Sequence, residues 1–327
     1  MPNPICYPLS SSFSKDVQNQ LNKTVFQVSL PIFPTKHFFI IGDPKITRDI
    51  LTDSSSTKPR LYENMRNISG GPTMLTMSMG HSWHAKRKAA SPAFSSRHVK
   101  RMTKVALDKT EDWIQDTLME HANNNVAFDV GTEMIGIVLS ALIETAYEYD
   151  MTKEEMEAFG NDLNLALPEF TRKSAANPLR RFMGWLIPER RQAVVAVQKI
   201  RAKVRHMMET YRNKKEHTNG TIIQLVMESN EAFPTDEEKT AQLIEFLLAG
   251  HDTTAYSIAW ILLCLAKHPE EQVKLRESLL QYTPENWVHS EYLQRVIKEG
   301  MRLYPVARSG KIDLLYLLYT VSCCFTQ

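Results

Sequence analysis

A mainly α-helical protein with a small β part near its N-terminus is the fold class this sequence predicts. Three observations carry it. Apolar residues recur at helical spacing through most of residues 83–303, one such run opens on a proline-preceded cap at Pro234, and only residues 25–41 are dense in β-branched and aromatic side chains. The 327 residues are 43% hydrophobic and 23% charged, enough apolar material for one large core or two smaller ones. With 39 basic residues against 37 acidic ones, there is no global field to attract nucleic acid or an acidic partner, so electrostatic recognition must be local.

Residues 1–24 are rich in Pro, Ser and Asn, show neither a basic nor an apolar leader region, and are expected to be poorly ordered; no signal peptide or membrane anchor is visible. Val25–Ile41, broken at Pro31 and Pro34 and closed by Gly42-Asp43-Pro44, predicts two short strands with a turn. Pro44–Leu51 predicts a short helix, and Ser54–Pro72 a loop. Ser96–His121, Val130–Tyr149, Lys153–Leu167 and Pro188–Lys215 alternate apolar and charged positions at helical period. Pro234-Thr235-Asp236-Glu237-Glu238 predicts a capping box, with the helix behind it running to Lys267 before His268-Pro269, about 48 Å at the usual rise. Helices over Pro269–Leu280 and Ser290–Leu303 follow, the last ended by Tyr304-Pro305. The four cysteines, Cys6, Cys264, Cys323 and Cys324, form neither a disulfide framework nor a zinc-type spacing, and suit a reducing compartment.

Leu243–Leu265 is apolar nearly all round, which predicts burial in the middle of the protein. A membrane span is set aside because His251, Asp252, Thr253 and Thr254 stand at its midpoint, where ionisable groups in lipid are costly. Ala249 and Gly250 remove bulk from one turn, so a flat ligand can approach the backbone, at a helix-propensity cost of about 1 kcal/mol for the glycine. Thr253, four residues after Ala249, can bond back to its carbonyl and loosen the ladder, and Asp252 can relay protons. For this motif alone, helix packing through small residues around a satisfied Asp explains the pattern equally well.

The motif does not stand alone. Ala249-Gly250-His251-Asp252-Thr253-Thr254 resembles the distal-helix pattern Ala/Gly-Gly-x-Asp/Glu-Thr-Thr/Ser of the cytochromes P-450 at every defined position. Tyr292-Leu-Gln-Arg-Val-Ile-Lys-Glu-Gly-Met-Arg-Leu-Tyr-Pro-Val306 is similar to that family's ExxR segment, and Gly80-His-Ser-Trp83-His-Ala-Lys-Arg87 to its third lettered helix, in the same chain order. The resemblance implies an incomplete cytochrome P-450-like helical domain with haem as cofactor. It implies that Thr253 stabilises oxygen bound at the iron, that Asp252 feeds the protons that cleave the O–O bond, and that His251 is the variable position. An iron-ligand role for His251 would block the oxygen site. Ala249 and Gly250 would lie against the haem; Trp83, Arg87 and Arg308 would hold its propionates; Glu299 and Arg302 would form a buried structural pair. Phe246, Leu247, Val306 and Ala307 would face the substrate. His81 and His84, three apart with no further ligands, are a weak zinc signal.

Lys86, Arg87, Lys88, Arg97, His98, Lys100, Arg101 and Lys104 are the basic concentration in the chain, either a solvated helix face or, as the family resemblance implies, a surface for an electron donor. That donor would be an NADPH-dependent reductase or a ferredoxin. Complete relatives are often anchored in the endoplasmic reticulum membrane, and a cytoplasm-facing protein is expected.

The resemblance divides the chain into residues 1–24, a partial domain at 25–309 and an unmatched apolar tail at 310–327. The family's iron-ligand loop, Phe-x-x-Gly-x-Arg-x-Cys-x-Gly, is not among these residues, nor is the arginine that completes the ExxR pair. Cys264 lies far along the long helix and Cys6 ahead of the fold. Leu314–Phe325 carries Cys323 and Cys324 but lacks the loop's Gly and Arg, so no metal ligand is assigned. The expectation is a chain whose frame departs from the enzyme's after about Gly310, through a retained intron, a frameshift or an early stop. Two functions follow. By family, the protein is a haem-thiolate monooxygenase inserting one oxygen atom from O2 into an apolar organic substrate, be it terpenoid, steroid, fatty acid or xenobiotic. Alternatively, it is a non-catalytic helical fragment or interaction protein that cannot bind haem through a thiolate.

Overall fold

The computed structural model describes residues 24–30, 36–53, 60–174, 177, 180, 182, 184–306 and 317–319. The chain forms two compact units, Met1–Arg60 with Met301–Gln327, and Leu61–Gly300.

In the first unit, β1 (Val25–Leu30) and β2 (Lys36–Ile41) pair antiparallel, from Val25 opposite Ile41 to Leu30 opposite Lys36. The β-branched and aromatic residues of both segments suit a pleated surface. Leu317–Tyr319 adds β3 parallel to β2, with Phe39 opposite Leu317, so part of the tail read as unmatched joins this sheet. Helix α1 (Pro44–Thr52) starts where the Asp43 carboxylate accepts from the Lys45 and Ile46 amides at 2.8 and 3.1 Å.

The second unit is helical. After a 3-10 turn at Arg60–Met65 come α2 (Arg66–Ser69), α3 (His81–Ala90), α4 (Ser96–Trp113), α5 (Met119–Asn124) and α6 (Val130–Tyr147). Then follow α7 (Lys153–Pro168), α8 (Pro188–Asn213), α9 (Ile222–Glu228), α10 (Asp236–Lys267), α11 (Pro269–Leu279) and α12 (Glu291–Leu303). The core lies where α10 packs on α6 and α8 packs on α7, with Leu139, Ile143, Leu163, Ile200, Val204, Met207, Phe233, Leu243 and Leu247 at its centre. Among the described residues one helix, α6, is long and apolar enough to cross a membrane by length and composition, and its inner face belongs to this core.

Long-range contacts redraw several expected boundaries. The segment expected as a loop at Ser54–Pro72 holds α2, because the Arg201 guanidinium of α8 takes the Asn67 and Ile68 carbonyls at 2.6 and 2.9 Å. Gly70 then turns the chain in the left-handed region, φ 92°. The helix expected over Ser96–His121 is interrupted by a π turn at Ile114–Leu118. Helix α6 ends at Tyr147 because Glu148 is left-handed, φ 51°, and its carboxylate accepts from the Thr218 amide and, at 2.8 Å, from the Thr221 hydroxyl. The capping box expected at Thr235 is half formed: Thr235 Oγ1 accepts from the Glu238 amide at 3.2 Å, but the Glu238 side chain is bound elsewhere. A complete box caps α7, between Thr152 and Glu155.

Candidate active site

The small residues of α10 open one wall of an apolar cavity. Its volume is about 410 Å³, and Phe94, Val99, Met102, Leu142, Phe246, Ala249, Gly250 and Thr254 are among the residues that line it. Gly250 faces α6 closely: a Cβ there would lie 3.0 Å from Leu142 Cδ2, the far end of a side chain that would have to give slightly. Directly beside it, Thr253 Oγ1 donates to the Ala249 carbonyl at 2.7 Å, and Ser257 Oγ donates to the Thr253 carbonyl at 2.8 Å. Two successive turns of the helix therefore carry an extra hydrogen bond on a carbonyl, as the spacing of Ala249 and Thr253 predicts. Thr253 is exposed and Asp252 half-buried, so both are within reach of water.

Side-chain direction separates the expected site residues. Phe246, Ala249 and Gly250 reach the cavity. Leu247 does not: it is fully buried in the hydrophobic core, because one residue along a helix is a turn of about 100° and Leu247 shares its face with Leu243. His251, four residues further on that face, is 2% exposed and bonded through Nδ1 to the Leu247 carbonyl at 2.7 Å. Burial pushes its imidazole pKa down, against the raising effects of that carbonyl and of Asp252, which suits a neutral structural histidine.

On α3, Trp83 and Arg87 do share a face, the guanidinium carbon lying 5.6 Å from the indole centroid. The indole N–H is engaged by the Met74 carbonyl at 2.9 Å, however, while Arg87 remains exposed. Lys86 leaves the expected basic surface altogether. It is 2% exposed, its ammonium donating to Glu238 at 2.5 Å and to the Ala232 carbonyl at 2.8 Å. Burial of such a cation is tolerable only because these partners replace water. Lys88, Arg97, Lys100, Arg101 and Lys104 are exposed, and His98 is half-buried beside Gly220.

Glu299 and Arg302 are exposed on α12, where a buried pair was expected. Val306 is half-buried in the first unit, while Ala307 and Arg308 lie outside the described residues. Cys264 is half-buried on α10, and burial pushes its thiol pKa up, away from the thiolate form. Cys6, Cys323 and Cys324 lie outside the described residues. No cluster of three His, Cys, Asp or Glu that would suit a metal ion occurs among the described residues.

Sequence reasoning missed Phe94, Met102, Leu142 and Thr254 as cavity residues. Thr254 closes the Ala249–Thr254 motif and Phe94 lies just after the Trp83 segment, so both had a signal. Leu142 had none, because only the packing of α6 on α10 puts it opposite Gly250. The small-residue wall and apolar lining fit the oxygen-facing side of a flat apolar cofactor such as haem. A thiolate for the opposite side is not supplied by the described residues.

Comparison with solved structures defines the fold. The haem domain of cytochrome P450DA superposes with a TM-score of 0.73 at 19% identity, over 95% of this chain and 72% of that one. Retinoic acid-bound cyanobacterial CYP120A1 superposes with a TM-score of 0.71 at 15% identity, over 96% and 73%. The family model for Cytochrome P450 matches residues 9–311, and the chain belongs to that family. Cytochrome P450 monooxygenase claO of Ampulloclitocybe clavipes is 30% identical over 284 residues, 76% of this chain and 51% of the relative. Taurochenodeoxycholic 6 alpha-hydroxylase of Sus scrofa is 26% identical over 310 residues, 83% and 58% respectively. The chain thus spans about half the length of the curated relatives it matches.

Proposed function

We propose that these residues form the oxygen-facing half of a haem-thiolate monooxygenase, which inserts one atom of O2 into an apolar organic substrate. The observation that carries this reading is the Thr253–Ala249 hydrogen bond, 2.7 Å, beside the glycine that opens the cavity wall. Haem supplies the redox-active iron of the reaction. The chain supplies the rest of the distal environment. With its proton on the Ala249 carbonyl, the exposed Thr253 hydroxyl keeps its lone pairs as acceptors, and Asp252 next to it exchanges protons with water. Phe246, Phe94 and Leu142 keep that side apolar. Arg87, exposed and stacked on Trp83, is the cation available for a propionate. Arg97, Lys100, Arg101 and Lys104 form the basic face that an acidic reductase or ferredoxin would meet.

The test compares the 327-residue chain with the same chain extended in frame by the Cys-loop segment of a relative such as claO. Both are checked for helix content by circular dichroism, incubated with haem, reduced and treated with carbon monoxide. The extended chain gives a thiolate-type Soret band and the chain alone does not. If the folded, extended chain also takes up no haem, the alternative holds, that these residues form a helical interaction protein; the engagement of the Trp83 N–H by Met74 favours that alternative.

A further inference from the structure

Of the asparagines in the chain, Asn219 is the one followed by glycine, and this pair lies in the connection between α8 and α9. Asn219 is exposed, and Gly220 sits in the left-handed region, φ 82°. Without a Cβ on Gly220, its backbone nitrogen is open to close approach from the side chain before it. Two further side chains converge on the same peptide. The terminal amide of Gln224 bridges the pair: its oxygen accepts from the Gly220 N–H at 2.5 Å, and its nitrogen donates to Asn219 Oδ1 at 3.4 Å. From α4, the His98 ring fills the space that a side chain on Gly220 would need, since a Cβ there would lie 1.9 Å from Nε2 and 2.1 Å from Cε1.

We propose that Asn219 is a self-modification site, at which the Gly220 nitrogen attacks the Asn219 side chain and the asparagine becomes aspartate and isoaspartate. In the first step the bond from Gly220 N to Asn219 Cγ forms and the bond from Cγ to the side-chain nitrogen breaks. Ammonia leaves with the proton that Gly220 gives up. One water then opens the cyclic imide. Addition at Cγ gives aspartate, and addition at the main-chain carbonyl gives isoaspartate, in which the backbone runs through Cβ and Cγ. The fold assists this chemistry in three ways. Two hydrogen bonds to one amide hold nucleophile and electrophile together. Donation to Oδ1 draws electrons from Cγ and steadies the oxyanion that forms there. The His98 imidazole is the base packed against the Gly220 peptide. Conversion also reaches beyond the loop. The new carboxylate stands near His98, on the stretch of α4 that carries Arg97, Lys100, Arg101 and Lys104. Gly220 and Thr221, next in the chain, line the cavity, and the Thr221 hydroxyl holds Glu148 at the end of α6.

The proposal is independent of haem binding and is tested on the chain as it is. Purified protein is incubated at mildly alkaline pH and digested at intervals. Mass spectrometry follows amide loss from the peptide containing Asn219, and an isoaspartate-specific methyltransferase counts the isoaspartate. The Asn219 peptide converts at least about tenfold faster than those of the exposed Asn67, Asn161 and Asn286. It converts no more slowly in the folded chain than in urea, where Gln224 and His98 are dispersed. Gln224→Ala and His98→Ala each slow the conversion several-fold with an unchanged circular dichroism spectrum, and Asn219→Ser removes the product. An Asn219 peptide that keeps its amide as long as the other three overturns the proposal. Slower conversion in the folded chain than in urea, or a wild-type rate in both alanine variants, overturns the assistance assigned to Gln224 and His98.

Discussion

Lys86 Nζ lies 2.5 Å from Glu238 Oε2, and this contact joins α3, the helix of Trp83 and Arg87, to the first turn of α10, the helix of Thr253. The lysine is 2% exposed and the glutamate 30%, and the ammonium also rides 4.5 Å from the Phe233 ring centroid. The pair therefore sets how the two helices carrying the candidate site meet.

Replacing Lys86 by Met removes a buried cation but leaves the Ala232 carbonyl and the Glu238 carboxylate without it. Lys86→Met is expected to cost about 3 kcal/mol, read as a shift in the urea midpoint, because one partner of a buried pair is lost. Adding Glu238→Leu should recover part of that loss, since the uncompensated charge goes with it. A midpoint unchanged by Lys86→Met would show that the pair contributes nothing.

Acid should act through Glu169. Burial pushes its carboxyl pKa up, but hydrogen bonds from Arg180 and Arg190 outweigh burial and hold it below the usual carboxylate value. The folded state thus releases this proton more readily than the unfolded chain. The stabilisation is complete above the unfolded pKa of about 4.3 and drains away as pH falls through the lowered folded value. Glu169→Gln is expected to lower stability at neutral pH and to flatten the acid limb of a stability–pH profile below about pH 4. An acid limb identical to the wild type's would contradict the assignment.

Two glycines on packed helices should respond differently to Ala. At Gly300 the new Cβ would lie 2.5 Å from Ile261 Cγ1, near the root of a β-branched side chain that cannot swing away, so Gly300→Ala should cost about 1–3 kcal/mol. At Gly250 the obstacle is the far end of Leu142 at 3.0 Å. There a helix-propensity gain of about 1 kcal/mol offsets the shift, leaving thermal stability little changed while the cavity narrows. Melting curves of the two variants would separate them.

Thr253→Ala removes the bond to the Ala249 carbonyl from an exposed position, and its stability effect should stay within about 0.5 kcal/mol. In a protein completed by a thiolate loop, the same change should lower product formed per reductant consumed, and Thr253→Ser should restore it. Equal coupling in all three proteins would remove Thr253 from the chemistry.

Much of the site could be read from the chain. The long helix, its small-residue break and the return bond from Thr253 to Ala249 follow from spacing along one helix, which is local geometry. The expected places of Leu247 and Lys86 did not survive, because the sequence names both residues without saying which face each helix turns inward. Leu247 is apolar and could line either a cavity or a core. Lys86 looks like its solvated neighbours Arg87 and Lys88 until Glu238, 152 positions away, comes to meet it.

By itself, the sequence determined the helical class, the elements of the long helix and the family motif, since helical period, caps and prolines act within a few residues. The tertiary structure alone decided that Leu142 faces Gly250, that Arg201 ends α2 and that Glu238 binds Lys86 instead of completing its capping box. Each of these depends on a desolvated contact between distant segments, whose strength comes from the packing that excludes water and not from the residues' own preferences.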